Sequence, residues 1–375
     1  MGPLQLLTRD DFALHLAKVQ AQLNTGRMPP WLADRCCNQY VDDLSLTSEQ
    51  SARLGDWLAN ELPLGPPLAV TPTVPKATLS RTDLTLHVPS FTPQPAAGRQ
   101  DEVRCFVLDA GAAQGQYVTG LLPKPGVRKV VRHLIVAAVS GDDAVALAAL
   151  QGQDGRPGFA CEAGLGPTRR SVTVLGGSLL GGDFPRGVGR KIDAGDKIVV
   201  NLHYSTAALA AGEPLPSDQT DIDLRLDASA RDLKALVVAN AGLLIDDAML
   251  VKAGQKDAPF WFHYRPTLFT LGKTVYLQNV NVHMHTLASK ATVRVLHANG
   301  ERTCLLEIPR WDFGWEQPYW FANPLKLLPD DELYLECHFD NSASHQATGK
   351  VPRDFAWGES GQDMCAAFLS FTDTP

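Results

Sequence analysis

Apolar residues recur along this chain with two different periods. In the N-terminal stretch the period is helical: Phe12, Leu16, Val19 and Leu23 fall on one face, and Thr47-Ser-Glu-Gln50 is a helix-start signal ahead of Leu54, Trp57 and Leu58. The segment PLGPPLAVTPTVP, within Pro63 to Pro75, then carries enough proline to act as a stiff linker, which places a boundary near residue 70. Beyond it the apolar runs are short, rich in β-branched and aromatic residues, and separated by Gly, Pro and Asp clusters. DLTLHV, VRCFVLD, KVVRHLIVAAV, KIVVNLHYS, DIDLRL, TVYLQNVNVHMHTL, ATVRVLHA and ELYLECHF are of this kind. Such spacing predicts a mainly β chain of antiparallel sandwiches preceded by a small helical segment. A second boundary is expected after DIDLRLDASA, near residue 230, dividing the chain into 1–70, 71–230 and 231–375.

Composition narrows the picture. The chain's 375 residues suit two sandwich domains and an appendage, and 31 Gly with 26 Pro favour turns over long helices. A net charge of -7 without a basic arm argues against nucleic acid as a partner. No apolar run is long enough for a membrane helix, the best, Leu134 to Val139, being strand-length, so no membrane partner is expected. The opening MGPLQLLTRDDF has no basic, then apolar, leader pattern, which predicts a cytoplasmic protein, the alternative being a periplasmic or secreted one whose leader has been removed. The seven cysteines form no CxxC pair and match neither a zinc ribbon nor a thioredoxin motif.

Candidate chemistry centres on histidine. His283 and His285 flank Met284 in a strand-like segment, so both imidazoles project from one face and the pair is able to chelate one ion. The same spacing also serves a solvent-facing pair. Met364, in GESGQDMCAAF, offers a thioether that suits copper(I), although a lone methionine is usually core. His133 and His203 each sit inside apolar strands, either as satisfied core histidines or together as a second site. His15, His87, His263, His297, His338 and His345 read as structural or exposed. HExxH, the phosphate-cradling GxxxxGK[ST] and a GxSxG elbow are all missing, and the aromatic run WDFGWEQPYWF reads by itself as core and sheet surface.

Taken in order, His133, His203, His283-x-His285, the Trp311 block, Glu336-Cys-His-Phe-Asp-Asn341 and Asp363-Met-Cys365 resemble the copper type II, ascorbate-dependent monooxygenases. That family includes the peptidylglycine α-hydroxylating and dopamine β-monooxygenases, and the texture is closest to its bacterial members. The resemblance implies two tandem jelly-roll-like β-sandwiches, with an electron-transfer copper in the first and an oxygen-activating copper in the second. It implies that His283, His285 and Met364 hold the oxygen-activating copper. His133 and His203 match two ligands of the other copper, but Arg132 stands where an adjacent histidine would be the third, and a protonated guanidinium does not coordinate. A single functional copper is therefore expected, the second site being weak.

The peptide-amidating relatives place an arginine where Asn281 stands, and Ala366 and Phe368 replace polar groups there, which points away from a glycine-extended peptide. Asn281 and Phe368 are the residues expected to face substrate. GRMPPWLAD and LTSEQSARLGDWLANELPLG resemble the rear of a cytochrome-like domain, here a remnant without haem because no CxxCH occurs. The resemblance also implies Cys337–Cys365 and Cys105–Cys161 disulfides, which fit an oxidising compartment and conflict with the cytoplasmic expectation. The function implied is copper-dependent hydroxylation of a small organic molecule with O2, fed by ascorbate or another small reductant. The rival is a copper-binding or scaffold protein without turnover.

Overall fold

A computed structural model describes residues 6, 8–29, 31–60, 62–65, 78–161, 172–176, 181–185, 187–210, 212–239, 249–346, 350–358 and 363–375. The expected boundary near residue 70, most of the proline-rich segment and most of GESG fall outside the described residues. The two N-terminal helices, Arg9–Asn24 and Ser48–Ala59, both begin with capping boxes. In the second, Thr47 caps Gln50 N–H at 3.0 Å while the Gln50 side chain accepts from Thr47 N–H at 2.8 Å.

The remainder is mainly β, with strands gathered into four sheets. One holds Leu84–His87, Asp221–Asp227, Tyr117–Lys124, Val188–Lys191 and Arg231–Asp232 in that order, with Gly182–Asp183 pairing beside it. The second holds Phe159–Ala160, Asp101–Asp109, Lys197–Ser205, Val131–Val139 and Val172–Gly176. The third runs Lys234–Ala239, Ala366–Thr372, Val275–His283, Tyr319–Leu327, and the fourth Ala258–Tyr264, Glu332–Phe339, Ala288–Leu296, Arg302–Ile308. The expected pair of jelly rolls is thus met only as a mainly β chain: the strands form four separate sheets, each of four to six strands.

Burial follows the residue pattern. In Glu332–Phe339 Leu333, Leu335, Cys337 and Phe339 are buried while Glu332, Tyr334, Glu336 and His338 face outward, the period of two that a one-sided strand requires. Lys197–Ser205 is buried almost throughout because it is central and covered on both faces. Val200 and Leu202 enter one core with Leu86, Leu121 and Leu224, whereas Val199 packs with Leu147 of the helix Gly141–Leu150. A further core joins the third and fourth sheets and takes in Leu32, Ala33 and Tyr40 from the N-terminal segment. That segment is docked by Tyr40 Oη donating to the Leu305 carbonyl at 2.8 Å and by a Cys37–Cys304 disulfide.

Cys105–Cys161 and Cys337–Cys365 are bonded as the resemblance implied, and Cys36 remains an exposed thiol. Three disulfides speak for an oxidising environment and correct the cytoplasmic expectation, since a reducing cytosol does not sustain such bonds. Among the described residues no helix is long and apolar enough to cross a membrane.

The two halves meet through Arg190. Its buried guanidinium donates to the Leu233 carbonyl at 3.0 Å and to Ser370 Oγ at 2.7 Å, tying Val188–Lys191 to Ala366–Thr372. Phe184 and Trp320 add a ring contact at 5.6 Å across the same junction.

Candidate metal centre

His283 ends the strand Val275–His283, where it pairs with Ala366 of Ala366–Thr372. Met284 turns into the core and is fully buried, which leaves His283 and His285 on the opposite side with ring centroids 5.2 Å apart. Their surroundings come from three later stretches. Asp363 Oδ1 accepts the backbone N–H of His285 at 2.6 Å and that of Met364 at 2.8 Å, while Oδ2 accepts Leu287 N–H at 3.0 Å. One buried carboxylate therefore holds the Met364 backbone beside that of His285, and burial raises its pKa against the pull of those N–H groups. Cys365, next along, is bonded to Cys337 of the neighbouring sheet. Trp311 indole N–H donates to the His285 carbonyl at 2.9 Å, and the Phe313 ring lies 6.1 Å from the His285 ring.

On the other side of the pair, His283 Nδ1 lies 3.0 and 3.2 Å from the two Glu316 oxygens. Asn281 Nδ2–H donates to the same carboxylate at 3.2 Å, so the amide expected to meet substrate is engaged with Glu316. Phe368 is well exposed, its ring 6.5 Å from that of His283.

His133 and His203 are register partners on adjacent strands, with ring centroids 4.8 Å apart. The ladder shifts between Val131 and His133, so Arg132 is the extra residue of a bulge, and it is exposed. Burial pushes His133 down to about 4, with neighbouring His203 adding to the effect; Glu316 pulls the other way. His203 is also lowered by burial, against Asp101, whose carboxylate lies 3.1 Å from Nε2. The charges of Glu316 and His283 both act on His133, the first raising its pKa and the second lowering it.

Most of the remaining histidines have structural partners. His87 meets Asp221, His263 meets Glu332, His297 sits between Asp331 and Thr303, and His338 between Asp257 and Glu336.

Glu316 and the anchoring role of Asp363 were not read from the sequence. A carboxylate inside the aromatic run WDFGWEQPYWF was the available signal for the first, and adjacency to Met364 for the second. Among the described residues no three His, Cys, Asp or Glu side chains are grouped to hold a metal ion. Two imidazoles with a thioether form a different donor set, one that suits a soft ion such as copper(I).

No family model and no curated protein matches the chain. Among solved structures it is similar to a putative secreted protein from Parabacteroides distasonis, at 7% identity over 78% of this chain and 89% of that one, with a TM-score of 0.19. It is also similar to the VP2 subviral particle of infectious bursal disease virus, at 10% identity over 80% and 74% of the chains, with a TM-score of 0.20. A Paenibacillus xanthan lyase matches at 14% identity over 78% of this chain and 26% of that chain, with a TM-score of 0.15. Likeness at that level carries no argument about fold or function.

Proposed function

We propose that this chain is a copper-dependent oxidoreductase, a monooxygenase that hydroxylates a small organic substrate with O2 and takes electrons from ascorbate or another small reductant. In this reading the four sheets form two tandem jelly-roll-like sandwiches, each carrying one histidine pair. The observation that carries it is the anchoring of Met364 beside His285 by Asp363, within a strand pairing that also presents His283. His283, His285 and Met364 would hold the metal, a donor set of two imidazoles and a thioether that matches copper's preferences. Bound there, copper would supply one-electron chemistry with O2.

The chain's own residues do the rest. Asp363 and the Trp311 indole fix the backbone on both sides of His285. Phe313 and Phe368 flank the pair with apolar rings, which favours an apolar part of the substrate and limits water around it. His133 and His203, with Arg132 at the bulge, offer only two imidazoles, so one functional copper is the expected state.

That two-imidazole pair also favours a second reading, a copper-binding protein that has lost turnover. Metal analysis of the purified, copper-loaded protein tests both. One copper per chain that is lost in Met364→Ala supports the site, and O2 consumption with ascorbate then separates an enzyme from a binder. No copper taken up by the parent ends both readings.

A further inference from the structure

We infer that Glu316 is a positioning residue for His283, selecting the ring nitrogen that faces the metal. The role rests on the copper site proposed above. An ionised carboxylate only accepts hydrogen bonds, so the 3.0 and 3.2 Å contacts at Nδ1 require that nitrogen to carry the proton. In the neutral imidazole the lone pair then lies on Nε2, the far side of the ring, where a ligating nitrogen is needed. Asn281 donates to the Glu316 oxygen Oε1 at 3.2 Å and so keeps the carboxylate turned toward the ring. With the Glu316 side chain one quarter exposed, the bond is partly shielded from competing water. Metal-ligating histidines characteristically bond their second nitrogen to such an acceptor, which fixes both tautomer and ring orientation.

Glu316 does this from outside the His283 strand, whose Asn281 reaches across to it. It follows the short 3-10 turn Phe313–Trp315 and precedes the strand Tyr319–Leu327. Its charge acts on His133 of the opposing half as well. The carboxylate thus orients His283 and raises the pKa of His133.

The first measurement needs no metal. Long-range 1H–15N NMR of the copper-free protein should show His283 with its proton on Nδ1, and Glu316→Ala should shift it toward Nε2, while Glu316→Gln, which keeps an oxygen acceptor, stays near the parent. Competition with a chromophoric Cu(I) chelator should then show Glu316→Ala weakened by ~10–100-fold and Glu316→Gln by much less. The parent carrying its His283 proton on Nε2, an alanine variant that leaves the tautomer unchanged, or a glutamine variant that falls as far as alanine, overturns the positioning role. A parent that shows the expected tautomer but binds no copper leaves the His283–Glu316 relationship intact and removes the copper site instead.

Discussion

The backbone N–H of His285 donates to the carboxylate of Asp363 across 78 residues of sequence, at 2.6 Å. The same oxygen accepts Met364 N–H, and its partner oxygen accepts Leu287 N–H. Asp363→Ala would leave three backbone donors of half-buried residues without their acceptor, each worth ~1–3 kcal/mol. The expected outcome is a loss of ~3 kcal/mol or more in chemical denaturation, with weaker Cu(I) binding. Asp363→Asn should fall between, because its amide nitrogen cannot accept. An alanine variant as stable as the parent would show that Asp363 does not anchor the Met364 segment.

The cysteine chemistry is open to direct counting. Of the seven cysteines, six are bonded in pairs and Cys36 is not. Unfolded, unreduced protein should therefore titrate one thiol, and reduced protein seven. The Cys337–Cys365 bond closes a separation of 28 residues, for which loop-closure entropy gives about 3–4 kcal/mol of stabilisation. A Cys337→Ala, Cys365→Ala double variant should lose stability on that scale and bind Cu(I) less tightly, since the bond braces the residue after Met364. Unchanged affinity would confine the disulfide to a purely stabilising role.

What the sequence made legible was local. Helical spacing at Phe12, Leu16, Val19 and Leu23, the Thr47–Gln50 capping box and the alternation in ELYLECHF each lie within a few residues, and each appears in the structure where the pattern put it. Cys37–Cys304 was not legible, because its partners lie 267 residues apart and neither segment carries a signal for the other. Glu316 reaches His283 across 33 residues from a run whose aromatic content reads as core. The Arg190–Ser370 bond likewise joins residues 180 apart, and no periodicity encodes it.

Arg190 therefore provides a test of the junction. Burial pushes its guanidinium down to about 10, still charged at neutral pH, and hydrogen bonds to charged groups are worth ~1.5–3 kcal/mol each. Arg190→Ala should destabilise by ~3 kcal/mol or more through the two lost bonds. In a double-mutant cycle with Ser370→Ala, a coupling of ~1–3 kcal/mol is expected between residues of opposite halves. Additive effects would mean that the bond contributes nothing to holding the junction.

Acid should weaken the fold through His133. Its pKa is about 4 in the folded protein against 6.5 when free, so between those values the unfolded chain takes up a proton that the folded chain refuses. Stability is accordingly lost as pH falls from about 6.5 toward about 4 and levels off below, by on the order of 3 kcal/mol from this group. His203, shifted in the same direction, adds to the loss. Urea midpoints at pH 7 and pH 4.5 should differ less for His133→Phe than for the parent. An identical pH dependence in both would show that His133 is not held neutral by burial.

Arg132 decides whether the N-terminal pair is a metal site at all. The bulge makes it the extra residue opposite His203, so its side chain is free of the strict up-and-down alternation of the strand, and its charge lowers both His133 and His203. A cation so placed opposes a bound metal ion, and it brings no lone pair. Arg132→His should reverse both disadvantages, adding a third imidazole and removing the permanent charge. In copper titrations the parent should take up one equivalent tightly, and Arg132→His a second. Arg132→Gln, which removes the charge without adding a strong ligand, should strengthen the second site less. If the parent already binds two equivalents tightly and the histidine variant matches it, His133 and His203 form a competent site without help, and the chain carries two coppers rather than one.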